Sequence, residues 1–369
     1  MGSGGGPRAA GRRLVLHMGL PKTGSTALQM MLFRNRGRLA RRGVWYPEAS
    51  ADDRRAERGR GTSGNGVAIL NVVTGRGDPP ASVRRATIHQ MRAQFESQSA
   101  DTVLYSSEAM FGFRDEDVRD LVEVFGRDGV EVHVVLYVRD IAGHTVSAYA
   151  EHVKRRLYRG TLGQYIEQTP DFMGFGPAFH LRLGALREIL GAENVQVRHF
   201  DSQRGSLVES FLSDVLGVSD TTGLQLEDSI QNRTLTPHEL ALMRHANGRL
   251  GSRQAALHLA EAFVAREPLE PGRLGLTEPE LGRLRETFGP AVSWVNEQFF
   301  DGRPRLTVEG GAEVYGSRPD VQATPQELFL MDCLVDVVDS DVLAHERALV
   351  PELRRRLFRL QQRLREARA

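Results

Sequence analysis

In the stretch LVLHMGLPKTGSTALQMML, residues 14–32, Gly19 and Gly24 bracket four residues, and Ser25 and Thr26 follow at once. Backbone N–H groups at a tight glycine turn that opens a helix converge on one point, and the helix dipole favours negative charge there. The chemistry this pattern supports is anion binding, with the N–H groups of Thr23, Gly24, Ser25 and Thr26 as a phosphate cradle. Lys22 adds a cation inside the loop. A second constellation, TVLYSSEAMFGF at residues 102–113, carries Glu108 at the end of an apolar run. A carboxylate there can take the proton of a substrate hydroxyl; the alternative is a glutamate that caps the helix after it. His17, just before the loop, and His144 are candidates for the same work. His133, His152, His199 and His245 are scattered without metal-ligand spacing, and no metal is expected.

These residues need a rigid frame. Residues 12–18 form an apolar run that ends in glycine, the pattern of a buried strand. Leu28, Met31, Leu32 and Leu39 follow at helical spacing, with Gly43 as the stop. Further strands are expected at 102–107, 130–138 and 195–200, with helices over DVRDLVEVFGRDG and AFHLRLGALREILG between them. Alternating strands and helices predict an α/β fold, a central parallel β-sheet with helices on both faces, whose ligands bind beyond the carboxyl ends of the strands. Residues 50–66 are polar and glycine-rich and read as a long mobile loop. From about residue 235 the chain turns helical: Thr236 is the N-cap, Pro237 the first helical residue and Glu239 the third.

The place of the lysine separates two kinds of phosphate chemistry. In the loop of nucleoside-triphosphate enzymes a lysine directly follows the second glycine. Here Ser25 fills that slot, and the cation has moved forward to Lys22. GLPKTGST resembles the 5′-phosphosulfate loop of the sulfotransferases that use 3′-phosphoadenosine 5′-phosphosulfate (PAPS). The resemblance implies that Lys22 contacts the oxygen bridging phosphate and sulfate, and that residues 23–26 hold the 5′-phosphate. VVLYVRDIAGHTVSAYAEHVKRR is similar to the family's second motif, in which a strand-end arginine and a helical serine bind the 3′-phosphate. Arg139 and Ser147 match that pair. Family members of the heparan type place a glutamate where Glu108 stands, as the base. Other matches (RGRLARRGVWYP, VRHFDSQRGSLVESFLSDVLGV, NRTLTPHELALMRHAN, AVSWVNEQFF) are similar to a bacterial, carbohydrate-sulfotransferase-like branch and carry the resemblance across about 12–301. The glycine-rich Arg-Lys-Gly loop of the animal cytosolic enzymes is absent, and Arg233 is the proposed substitute. The resemblance implies a P-loop-like three-layer fold, PAPS as sulfuryl donor, no metal, and a small-molecule or carbohydrate-like acceptor. A P-loop-type kinase, or a non-catalytic adenine-nucleotide-binding protein, is the alternative.

Composition narrows the partners. The 369 residues carry a formal net charge of +1, so no global field draws the chain to nucleic acid or a membrane surface. No apolar run reaches the length of about 18 residues that a transmembrane segment needs. MGSGGGPRAAGRR lacks the apolar core of a signal peptide, and Cys333 is the sole cysteine. A cytoplasmic setting is the expectation. Of 48 basic residues only Lys22 and Lys154 are lysine, and both lie in the motifs above. Trp45, Tyr46 and the arginines of 50–66 are candidates for an acceptor cleft, against the plainer reading of a solvated loop. The expected organisation is a disordered tail (1–11), a sulfotransferase domain (12–301), a Gly/Pro-rich linker (302–325) and a helical extension (326–369). Leu353, Leu357, Leu360 and Leu364 form a seam that packs back on the domain or, second, makes a homodimer contact.

Overall fold

The computed structural model describes residues 11–20, 22–57, 62–66, 69, 80–127, 129–168, 176–226, 233–268, 272–310, 321–336 and 338. Among the described residues five strands, β1 Arg13–His17, β2 Val44–Trp45, β3 Thr102–Ser106, β4 Glu131–Val138 and β5 Val195–His199, form one sheet in the order β2-β3-β1-β4-β5. Every pairing is parallel. The helices used below are α1 Ser25–Ala40, α2 Ser50–Glu57, α3 Ala81–Glu96, α4 Asp115–Gly126, α5 Ile141–Arg155, α6 Leu162–Gln168, α7 Phe179–Leu190, α8 Pro237–Ala246, α9 Arg253–Val264 and α10 Glu278–Phe299. This is the α/β class expected, and the four longer strands fall where the apolar runs put them. β2 was not anticipated, because two residues carry too little pattern.

The chain divides into two compact units. The first comprises 1–144, 169–231 and 281–310; the second comprises 145–168, 232–280 and 311–369. The first unit holds the sheet. β1 and β3 are buried almost throughout, as strands with both faces covered must be. On one face Val15, Leu104, Val135 and Tyr137 meet Leu28, Met31 and Leu32 of α1 and Phe200, Leu207, Phe211 and Leu212 of the segment after β5. α4 turns Val118, Leu121, Val124 and Phe125 inward and packs against α3, α7 and β4.

Two stretches read as loose are ordered. Ser50–Glu57 is helical, and Asp53 accepts two hydrogen bonds from Arg36 at 2.8 and 3.0 Å. Arginine thus anchors this stretch where composition suggested a mobile loop; residues 58–61 lie outside the described residues. Residues 306–308, inside the expected linker, are held to the first unit. Leu306 and Asn296 exchange hydrogen bonds at 2.8 and 3.0 Å, and the N–H groups of Ile141 and Ala142 donate to Thr307 and Val308. Tyr46 is 2% exposed in the core, and Trp45 stacks on Phe95. Core packing, and not an acceptor cleft, explains both aromatics.

In the second unit the Thr236 cap forms as read: its hydroxyl accepts from Glu239 N–H, and the Glu239 carboxylate accepts from Thr236 N–H at 2.9 Å. Asn247, fully buried, donates to the carbonyls of Val153 and Tyr158. Residues 325–336 are helical. They are tied to α8 and its C-terminal end by His238–Glu327, His245–Asp332 and Arg249–Asp332 pairs at 2.7–3.0 Å. The tail 1–10 and the leucine seam 353–364 lie outside the described residues. No helix among the described residues is long and apolar enough to cross a membrane.

Phe211 is fully buried at the centre of the first unit's core. Phe211→Ala is expected to lower unfolding free energy by about 3–5 kcal/mol, read as a shift in the urea midpoint with the slope unchanged.

Candidate functional site

The site begins where β1 stops. Met18 N–H still bonds Val135 on β4, and the chain then turns through Leu20 to Gly24 into α1. Two residues of the turn take the left-handed backbone: Lys22 at φ 69° and Gly24 at φ 77°. Glycine adopts it freely, and at Gly24 a side chain would also collide with Leu207 and Phe200. Lysine adopts it rarely, and residues held this way concentrate at binding and catalytic sites. The Thr23 hydroxyl donates to Leu20 carbonyl at 2.6 Å and so braces the loop from within. Ser25, the first residue of α1, is 2% exposed, and its hydroxyl oxygen finds no hydrogen-bond partner among the described residues. Thr26 is half-buried beside it. Beside it the first N–H groups of a 16-residue helix can seat an anion. Pro21 lies outside the described residues.

Arg139, at the end of β4, reaches this loop. Its Nη1 donates to Lys22 carbonyl at 3.3 Å, and its Nε stands 3.4 Å from Asp201. The guanidinium lies 5.7 Å from the Phe200 ring. Gly143, one turn into α5, leaves it room; a methyl group there would stand 3.2 Å from Nε and Nη2. Burial lowers the Arg139 pKa, and Asp201 opposes that shift. The fork is thus a largely dehydrated cation next to the β1–α1 loop. Ser147, its expected partner, is half-buried in the second turn of α5 and belongs to the second unit.

Asp140, His199 and Asp201 present ligand atoms within 4.8 Å of one another. No spacing in the chain marks this grouping, because β5 returns His199 from fifty-nine residues along the chain to the side of Asp140. Asp140 accepts from Thr307 N–H and Oγ1 at 2.8 and 2.9 Å. Burial pushes its carboxyl up, but hydrogen bonds from His199 and Thr307 outweigh that and hold it below its usual value. Arg139 and Arg204 flank Asp201 at 3.4 and 3.1 Å. The two guanidiniums tie this cluster to Arg139.

Glu108 follows β3. It is half-buried and opens a short 3₁₀ turn, Glu108–Gly112, whose cap is the Ser107 hydroxyl. Ser107 is the N-cap and Glu108 is the acidic residue of the first turn, the place that the capping alternative gives it. His17 lies wholly inside the first unit. Its Nδ1 pairs with Ser106 Oγ at 2.8 Å, and its ring meets Tyr137 and Phe211 at 5.9 and 5.2 Å. His144 is 4% exposed. Arg233 is fully engaged: it grips Glu239 through two 2.7 Å bonds and donates to the carbonyls of Phe263 and Arg266. It is a strut between α8 and the end of α9, and its expected role as a nucleotide contact fails on that account.

No protein-family model matches the chain, and no curated protein matches it. Among solved structures it is similar to a sulfotransferase from Alicyclobacillus acidocaldarius, at 12% identity and a TM-score of 0.37, over 70% of this chain and 97% of that one. It is also similar to the sulfotransferase domain of the Synechococcus PCC 7002 olefin synthase, at 15% identity and 0.35, over 71% and 98%. A third likeness is to the sulfotransferase domain from the curacin biosynthetic pathway, at 14% and 0.33, over 76% and 98%. Scores of this size fall short of a shared fold.

Burial lowers the His17 pKa from 6.5 to about 4. The unfolded chain therefore takes up a proton at this residue below pH 6.5 that the folded chain refuses until about pH 4. Stability is full above pH 6.5 and falls as pH drops to about 4, by about 3 kcal/mol in all. The melting temperature of His17→Asn should fall less steeply than that of the parent between pH 6.5 and pH 4.

Proposed function

We propose that this chain is a PAPS-dependent sulfotransferase that moves a sulfuryl group to a hydroxyl of a small-molecule or carbohydrate-like acceptor. The observation that carries the reading is the 3.3 Å contact between the Arg139 guanidinium and Lys22 carbonyl. It sets a second, dehydrated cation against a phosphate loop whose own lysine has left the slot used for triphosphates. A donor that carries a 3′-phosphate besides its 5′-group calls for a basic contact outside the loop's own lysine, and ATP has no such 3′-group.

In this reading the N–H groups of residues 23–26 and the orphan Ser25 hydroxyl hold the 5′-phosphate at the start of α1. The Arg139 fork takes the 3′-phosphate, a dianion that suits two parallel N–H donors. PAPS supplies an activated sulfuryl group. Lys22 neutralises the charge that gathers on the phosphate side as the S–O bond breaks, so its effect is greatest in the transition state. Glu108 accepts the proton of the attacking hydroxyl. His17 gives way to it: an enclosed imidazole with a pKa of about 4 is poorly matched to take a proton at neutral pH. We assign His17 the support of Ser106 under the site.

Two experiments test this. 3′-Phosphoadenosine 5′-phosphate at one hundred times its Kd should stabilise the protein by about 2.7 kcal/mol in a thermal melt. ATP with Mg²⁺ should do far less, and the reverse order would return the protein to the triphosphate enzymes. In assays of PAPS consumption with methyl pyranosides, phenols and water as acceptors, Lys22→Ala is expected to cut kcat by about 100- to 1,000-fold. Glu108→Gln should cut it by about 100-fold or more with the Kd for the bisphosphate unchanged.

A further inference from the structure

Among the described residues, β3 has a strand on only part of its outer edge. β2 pairs with Thr102 and Val103 and then ends. Beyond Val103 the next outward-facing backbone groups are the Leu104 carbonyl and the Ser106 N–H, and a side chain satisfies both. Asn65 Nδ2 donates to Leu104 carbonyl at 2.9 Å, and Asn65 Oδ1 accepts from Ser106 N–H at 2.8 Å. A residue of a parallel neighbour makes this same pair of bonds, one to each side of the residue it faces. The amide of Asn65 thus stands in for a missing strand residue opposite Tyr105.

The amide is itself fixed. Asn65 is 2% exposed; its N–H donates to the Tyr46 hydroxyl at 3.2 Å, and Nδ2 also reaches Pro47 carbonyl. Gly64, at φ 79°, brings the loop so close that a Cβ there would lie 2.0 Å from Ser106 carbonyl. Thr62 Oγ1 accepts from Gly64 N–H and closes the turn. On the inner side Ser107 N–H donates to His17 carbonyl at 3.1 Å. The chain is therefore clamped from both sides in the two residues before Glu108.

We propose that Asn65 is a positioning residue for sulfuryl transfer: by completing the edge of β3 it sets where the Glu108 carboxylate meets the acceptor hydroxyl. This rests on the reading of Glu108 as the base. The Asn65 amide touches no reacting atom and acts only through Ser106, Ser107 and Glu108. Its loss frees the end of β3 to shift, and a misplacement of about 1 Å at a reacting group costs up to about 100-fold in rate.

The test is a double-mutant cycle of Asn65→Ala and Glu108→Gln, read as release of 3′-phosphoadenosine 5′-phosphate from PAPS with methyl pyranosides and with water alone as acceptor. Asn65→Ala should lower kcat by about 10- to 100-fold in the parent chain, leave the KM for PAPS unchanged, and have no further effect in the Glu108→Gln background. An equal loss in both backgrounds, or a loss carried by KM, overturns the positioning role and leaves Glu108 as base. A fully active Glu108→Gln chain removes the base itself and with it this inference. Should Asn65→Ala fail to fold, Asn65→Asp takes its place in the cycle with the same expectation. It keeps the acceptor for Ser106 N–H and loses the donor to Leu104.

Discussion

The fold around the site depends on a turn that ordinary residues resist. Between β1 and α1 the backbone passes twice through the left-handed region, at Lys22 and Gly24, with the second step pressed against Phe200 and Leu207. That turn aims the first N–H groups of α1 at the carboxyl edge of the sheet. It also presents Lys22 carbonyl to Arg139. The strain at Lys22 persists because its surroundings over-determine it: Thr23 ties down the loop from inside, and the core beneath α1 fixes the helix. Strain of order 1–3 kcal/mol survives only in such company.

The second dependence is electrostatic. Arg139 is the cation that the strand end offers to the loop, and burial alone would make it costly. Asp201 offsets that cost on one side. Behind Asp201 stand Arg204, and behind Asp140 stand His199 and Thr307. The residues 306–308 that composition marks as linker take part in this brace, and they also satisfy the first N–H groups of α5. A segment far along the chain thus holds the shape of the β4–α5 junction.

Much of this was legible in the residues. Long apolar runs gave four strands, since a parallel sheet covered on both faces leaves little room for polar residues in them. The glycine spacing located the loop, and the Thr236-Pro237-Glu239 pattern located a helix start, because both are local and stereochemical. What failed was non-local. Tyr46 and Trp45 looked like aromatic contacts for a ligand until Asn65 and Phe95 supplied their partners. Arg233 looked available until α9 brought two carbonyls to it. His199 and Asp140 became neighbours only through the pairing of β4 with β5. Single side-chain amides that bond backbone forty residues away, as Asn65 does, leave no periodic trace at all.

The short β2 has one more consequence. A sheet whose edge carries open carbonyl and amide groups invites strands from other molecules, and proteins guard such edges. Where β2 gives out, the Asn65 amide occupies both hydrogen-bonding positions that an incoming chain would need on β3, and Gly64 lies directly against Ser106 carbonyl. The stretch is therefore closed to edge-to-edge association, and this corner of the sheet is protected from the aggregation that a strand cut short would otherwise risk.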